Sequence, residues 1–342
     1  MPHILITGGA GFIGANFVEF YLDNHPDSQV TVLDKLTYAA NEKTIEMHKS
    51  KYGNRYTFVQ GDICDKNIVD QCVQNKSAIV HFAAESHVDR SVTHPEVFLQ
   101  TNVLGTFTLL EAALKAGKIR FHHISTDEVF GSLSLDPNEK FTTETPYSPR
   151  SPYAASKAAS DHIVRAYHET YGLPVTISNC TNNYGPYQFP EKVIPLFITR
   201  FMQGKLVPVY GPGTAVRDYV FVTDHCHAID LILEKGKPGE TYIVGGGEEK
   251  NTKQVAETIL RELNMEDQYD TLVKHTTDRP GHDLRYAIDY SETTKKLGWK
   301  PSVTFEEGIR QTIAWYKTHD NWTAPIQHRA EEVAEKYLKL TT

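Results

Sequence analysis

Short apolar runs alternate with longer segments of helical periodicity over the first 125 residues. His3 to Thr7 reads as a buried strand, and Val30 to Asp34, Tyr56 to Gln60, Ala78 to Ala83 and Arg120 to Ser125 repeat the form. Between them, Phe12 to His25 places Phe12, Ile13, Phe17, Phe20 and Tyr21 at near-helical spacing, and Asn102 to Ala116 reads as a second helix. Short, almost wholly apolar runs set between helices are what parallel strands covered on both faces require. The pattern predicts an α/β fold around a doubly wound parallel sheet.

A helix from about Ser151 to Tyr171 and a strand at Val175 to Asn179 continue the alternation. Residues 182–220 then turn rich in Tyr, Pro, Gly and Asn, with many breakers. Strand patterns return at Tyr219 to Val222 and Glu240 to Val244, and amphipathic helices are predicted at 251–263 and 306–318. The expected organisation is a first domain over 1–183, rejoined by 219–247. A smaller α/β domain is expected to be drawn mainly from 184–218 and 248–342. No internal repeat and no Gly/Ser linker separates them.

Composition narrows the function. The 342 residues are 40% hydrophobic and 23% charged, an ordinary globular mix. A net charge of −8 disfavours a broad electrostatic grip on nucleic acid or an anionic membrane, while leaving room for a local phosphate site. The four cysteines, Cys64, Cys72, Cys180 and Cys226, form no C-x-x-C pair and suit a reducing compartment. Neither a signal peptide nor a membrane-length run of apolar residues is read, so a cytoplasmic protein is expected.

Thr7-Gly8-Gly9-Ala10-Gly11-Phe12-Ile13-Gly14 follows the first predicted strand and opens the first predicted helix. Gly8 suits a tight turn, Gly11 a close approach of backbone to pyrophosphate, and Gly14 close helix–strand packing. The helix start favours an anion. Asp34 ends the second strand 20 residues after Gly14, where a carboxylate can accept from a ribose diol and repel the extra phosphate of NADP. The expected cofactor is therefore NAD, bound in a Rossmann-type domain. Asp62 and Ile63 end the third strand, where an adenine ring can lie.

Tyr153 and Lys157 are four apart on a predicted helix and share a face. A phenol is a poor base at its reference pKa near ~10, but neighbouring cations favour the phenolate. Tyr153 can then take a hydroxyl proton while hydride leaves the same carbon. The fifth strand ends in Ser125-Thr126-Asp127-Glu128. Two carboxyls at the carboxyl end of such a strand can serve as acid and base if their surroundings push their pKa values apart. The same residues also suit a solvated, capped helix start.

These motifs together resemble the extended short-chain dehydrogenase/reductases and, more narrowly, the dTDP-glucose 4,6-dehydratases, over roughly residues 3–318. Further matching strings are Leu33 to Ala39, Ala83 to Asp89, Asn182 to Tyr187, Pro190-Glu191-Lys192 and Asp278 to Asp283. The resemblance implies a retained NAD and a three-step cycle. Tyr153 deprotonates the 4-hydroxyl during oxidation at C4, Glu128 and Asp127 remove water across C5 and C6, and hydride returns to C6. It makes Thr126 a sugar contact. Substrate contacts are carried to Ser86, Asn182, Lys192, Pro208, Tyr210, Arg217, Asn251, Arg279 and His282. NAD contacts are carried to Gly8, Gly11, Phe12, Ile13, Gly14, Asp34, Lys35, Thr37, Asp62, Ile63, Ala84, Thr101, Tyr153, Lys157 and Asn183. It also implies a homodimer, through helices around 102–115 and 152–171.

Where many members of that family carry Gly, this chain has Ala40, and the segment between Gly131 and Pro149 is short. The alternatives are a UDP-glucose 4,6-dehydratase and a nucleotide-sugar 4-epimerase; the latter needs no acid and base for water loss. His225-Cys226-His227 lacks the spacing of a structural zinc site, so no metal is expected, and His122-His123 is read as structural at a strand end.

Overall fold

The computed structural model describes residues 2–278 and 283–339. Its strands are β1 His3–Thr7, β2 Gln29–Asp34, β3 Tyr56–Gln60, β4 Ala78–His81, β5 Arg120–Thr126, β6 Val175–Cys180, β7 Asn182–Tyr184, β8 Val207–Tyr210, β9 Val216–Phe221, β10 Thr241–Val244, β11 Glu248–Asn251 and β12 Val273–Thr276. Seven of them form one sheet in the order β10-β6-β5-β4-β1-β2-β3. Every pairing in it is parallel. Order reverses at β1, which pairs with β2 on one side and β4 on the other, and this reversal opens a crevice at the strands' carboxyl ends.

Side-chain alternation explains why these apolar runs form a covered sheet. Ile4, Ile6, Val30, Val32 and Val80 face one layer, with Phe17 and Ile229 from the helices Phe12–Asn24 and Val222–Lys235. Leu5, Leu33, Ile79, Phe121 and Ile177 face the other, with Leu110 and Val164 from Thr106–Lys115 and Pro152–Tyr171. Each fully buried Leu, Ile or Phe is worth about 1.5–3 kcal/mol, so both faces must stay covered.

The second cluster of elements packs at the crevice. The antiparallel pair β11-β9 is extended by β7, parallel to β9, and β12 pairs in parallel with β8. Helices Val193–Phe201, Thr252–Glu262 and Phe305–Thr318 close a core around Phe197, Phe201, Ile259, Phe305 and Ile313. The chain enters this region at β7 and returns to the large sheet at β10.

Three local readings change. His122 and His123 lie inside β5 rather than at a strand end, and His122 bonds Thr176 and Ser178 of β6. The helix predicted from Asn102 begins instead with a π turn at Leu99–Gly105, followed by Thr106–Lys115. There the Asn102 side chain bonds the backbone of Glu85, and a Cβ on Gly105 would lie 2.4 Å from Ile63. By length and composition, the helical stretch Pro95–Lys115 is also apolar enough to cross a membrane. It is interrupted by polar residues, however, and 44% of its most apolar window is buried inside this fold.

Candidate active site

A cavity of about 350 Å³ opens at the crevice. One wall is the glycine turn. Gly8 has φ +74°, and a Cβ there would stand 2.6 Å from the Ala83 nitrogen. A Cβ on Gly14 would stand 2.3 Å from the Gly8 carbonyl oxygen. The turn therefore leaves no room for a side chain at Gly8 or Gly14. The helix Phe12–Asn24 begins at Gly11 with no side-chain cap, so its first N–H groups are presented at the cavity. Asp34 accepts from the Ala10 and Leu36 N–H groups at 3.0 and 2.8 Å and holds the turn against β2. Lys35 pairs with Asp62 at 2.7 Å across the adjoining rim. These features fit a dinucleotide: bare backbone for the diphosphate and a carboxylate at the ribose end.

Tyr153 and Lys157 come from the helix Pro152–Tyr171. Ser151 caps its start by accepting from Ala154 N–H, Pro152 suits its first turn, and Gly172 ends it at φ +64°. Both side chains are buried and line the cavity. Lys157 Nζ donates to the Ile124 carbonyl at 2.7 Å and lies 3.4 Å from His123 Nε2. Burial pulls Lys157 down to about 8. Burial, reinforced by Glu128, pushes Tyr153 well above the usual phenol value, opposed by a hydrogen bond with Thr126. In this geometry Tyr153 holds its proton, and a further positive charge beside it is needed before it can act as a base.

Asp127 and Glu128 begin a short 3-10 turn, Asp127–Phe130, directly after β5, with the Thr126 hydroxyl accepting from Glu128 N–H. The turn departs from extended backbone, so both carboxyls line one cavity. Asp127 is 2% exposed, and its Oδ2 has no hydrogen-bond partner among the described residues. Burial raises its pKa well above the usual range, and the charges of Glu128 and Asp218 add to the shift. A buried protonated carboxyl with a free oxygen suits donation to a ligand hydroxyl.

The structure brings Thr37, Ile63, Ala84, Ser86, Thr101, Thr126, Asn182, Asn183 and Lys192 to this same cavity. The Asn183 side chain is already bonded to Thr181 and His225. Other candidates stand outside the lining. Pro208 and Tyr210 lie on β8, and Asn251 is the cap of the helix Thr252–Glu262, in a reciprocal capping box with Gln254. Arg217 on β9 is nearly buried, with its guanidinium 4.2 Å over the Tyr286 ring and bonded to the Val216 and Asp283 carbonyls. Arg279 and His282 lie outside the described residues. Of the His-Cys-His triplet, His225 bonds Asn183 and Cys226 is buried in the apolar core.

Residues not singled out from sequence also reach the rim. Arg90 stacks 4.0 Å over Tyr38 and pairs with Glu85 at 3.4 Å, while the Tyr38 hydroxyl donates to Glu191 at 3.0 Å. Three separate segments form this clasp, so no local spacing announces it. Asp161 carried a signal that could have been read: it follows Lys157 by four residues on the same helical face.

A nucleotide crevice with a Tyr/Lys pair and two carboxyls defines an NAD-linked enzyme of the Rossmann type, and the comparisons narrow it. The family model described as GDP-mannose 4,6 dehydratase matches residues 5–312. A dTDP-glucose 4,6-dehydratase of Mycobacterium tuberculosis is 49% identical, over 96% of this chain and 97% of that protein. The Escherichia coli enzyme of the same name is 48% identical, with 96% of each chain covered. The solved structure of DesIV, a dTDP-glucose 4,6-dehydratase from Streptomyces venezuelae with NAD and dTDP bound, has a TM-score of 0.89 at 45% identity, covering 95% of this chain and 99% of that one. The chain belongs to the extended short-chain dehydrogenase/reductases and, within them, to the dTDP-glucose 4,6-dehydratase family.

Proposed function

We propose that this chain is an NAD-dependent hydro-lyase that converts dTDP-glucose to dTDP-4-keto-6-deoxyglucose. The observation that carries the reading is the Asp127–Glu128 pair at the cavity shared with Tyr153, with Asp127 buried and its carboxyl pushed above the usual range.

Gly8 to Gly14, Asp34, Lys35, Asp62 and Ile63 would hold the NAD. Bound there, NAD would supply a hydride acceptor for oxidation at C4, a hydride donor for reduction at C6 and a positive charge. Tyr153 takes the 4-hydroxyl proton as C4 is oxidised, and Thr126 orients that oxygen. The resulting ketone acidifies the C5 proton, which Glu128 removes. Asp127 donates its proton to the departing 6-hydroxyl, and water leaves; as hydride reaches C6, a proton returns to C5. The opposite protonation demands on two adjacent carboxyls fit the electrostatics: one is buried and pushed up, and the other is partly exposed. Lys192 at the rim and Arg217 beyond it suit a diphosphate, since guanidinium binds such oxygens in a bidentate way.

A nucleotide-sugar 4-epimerase is the second reading, favoured by similarity to the Thermus thermophilus UDP-glucose 4-epimerase at TM-score 0.83 and 31% identity. It leaves the Asp127–Glu128 pair without a task. The reading also includes a cytoplasmic homodimer. Leu99, Leu104, Phe107 and Tyr171 are 43–55% exposed, on the π turn and the helices Thr106–Lys115 and Pro152–Tyr171, and suit burial against a second copy. The free thiols Cys64, Cys72, Cys180 and Cys226 suit a reducing compartment. The two-part division, 1–183 with 219–247 against 184–218 with 248–342, belongs to the same proposal.

Mass spectrometry after incubation with dTDP-glucose or UDP-glucose, without added NAD, tests the function. Loss of one water with no accumulating NADH is expected, and faster with dTDP-glucose. An unchanged mass with NAD supplied, together with conversion to the galactose epimer, would replace the dehydratase reading with the epimerase.

A further inference from the structure

Behind the Tyr/Lys pair lies a buried polar network that the steps above do not use. Asp161 sits one helical turn beyond Lys157 and is fully buried. Its Oδ2 accepts from the Ser125 hydroxyl and the Tyr147 hydroxyl, each at 2.8 Å, and from Asn179 Nδ2 at 3.4 Å. Its Oδ1 lies 3.2 Å from His123 Nε2, which in turn lies 3.4 Å from Lys157 Nζ. At the outer end, Arg165 donates to the Tyr147 hydroxyl at 2.8 Å. Donors therefore come to one carboxylate from β5, from β6 and from the segment before the helix.

A buried ammonium needs a compensating charge. Among the described residues, the titratable groups that act on or are acted on by Lys157 are His81 from β4, His123 from β5, Cys180 from β6 and Asp161 from its own helix. Burial keeps His81 and His123 neutral and pushes the Cys180 thiol up to about 12, so none of these three carries charge near neutral pH. The carboxyls of Asp127 and Glu128 act on Tyr153. Burial works against the Asp161 carboxylate too, but His123, Lys157 and its hydrogen bonds outweigh this and hold it below the usual range.

We infer that Asp161 is a positioning residue for C4 oxidation: one helical turn from Lys157 in the same buried layer, its carboxylate charge balances that of the ammonium and keeps it protonated beside Tyr153. The inference rests on the oxidising role proposed above for Tyr153 and Lys157. Removing the carboxylate charge takes away the main opposition to burial at Lys157. Its pKa falls, and the ammonium is lost at a lower pH.

The oxidation is isolated with a dTDP-linked pentose, which lacks C6 and cannot eliminate water. Single-turnover NAD reduction is followed from pH 6 to 9 for wild type, Asp161→Asn and Asp161→Glu. The alkaline limb of Asp161→Asn is expected to move down by about one pH unit or more, giving a roughly 5-fold deficit at pH 8 that approaches about 10-fold at pH 9 and narrows toward pH 6. Asp161→Glu, which keeps the charge, should restore the limb. A deficit equal at every pH, or an unmoved limb, overturns the inference and leaves the dehydratase reading standing. Failure of the wild type to reduce NAD at any pH overturns that reading and the inference together. If Asp161→Asn is recovered unfolded, the smaller neutral Asp161→Ser is measured in its place against the same outcomes.

Discussion

Tyr153 and Asp127 are both buried at one cavity, and both hold their protons more tightly than the free side chains do. Their surroundings follow opposite plans. Behind Tyr153, charges of opposite sign alternate: Lys157, then Asp161, then Arg165, with the His123 ring near the first two and the Tyr147 hydroxyl bridging the last two. Around Asp127, like charges gather, with Glu128 beside it and Asp218 opposite, and Arg217 partly offsets them. The first corner must have given up its own proton before it can take one from a substrate hydroxyl, so it needs a standing positive charge nearby. The second must keep a proton until a hydroxyl departs, so crowding by carboxylates serves it. One cavity can thus hold a base and an acid at the same pH because burial alone does not decide either.

The contrast is broken most completely at the first corner. Tyr153→Phe keeps the ring and removes the proton acceptor, and oxidation at C4 should fall by about 10³–10⁴. Single-turnover absorbance of reduced nicotinamide reads this directly, and oxidation at the wild-type rate would remove Tyr153 from the chemistry. Asp127→Asn attacks the second corner and should separate the steps. Water loss is expected to slow by about 10²-fold or more, while NAD reduction persists and accumulates. Equal slowing of both steps would show that the two corners are not independent.

The smallest effect sharpens the like-charge side. Burial raises Asp218 to about 7, and its Oδ1 accepts from Glu248 N–H. Asp218→Asn removes one charge that pushes Asp127 up, so the pKa of Asp127 falls and the alkaline limb of water loss moves to lower pH, by about half a unit. Stability gives a second reading. With the folded pKa of Asp218 raised above its unfolded value, its stabilising contribution is full below the ordinary carboxylate range and is lost as pH rises through about 7. The asparagine variant escapes that loss. Its Tm should exceed wild type by about 2 °C at pH 8, and by less at pH 5. A larger gain at pH 5 would contradict the burial assignment.

Much of this was legible in the chain. The alternation that buries Ile4 and Ile6 on one face and Leu5 on the other is a local pattern, and the strands from β1 to β6 follow it closely. The glycine turn, Asp34 at the end of β2 and the Tyr153–Lys157 spacing are likewise local. The π turn at Leu99–Gly105 was not, because it answers to Ile63 and Glu85, distant in sequence. Asn251 illustrates a signal passed over: Asn-Thr-Lys-Gln before an apolar helical face is a capping pattern, and the structure uses the side chain as a cap.

The order of elements, the turn that admits a phosphate and the residue types available for proton transfer were settled by the sequence itself, because each depends on neighbours within a few residues. Tertiary structure alone decided the protonation states. Whether Asp127 is an acid, whether Lys157 keeps its charge, and how firmly Arg217 is held depend on Asp218, Asp161 and Tyr286, which come from other strands, a helical turn and a distant loop. Charge interactions strengthen as water is excluded, and only the folded chain determines which groups lose their water together.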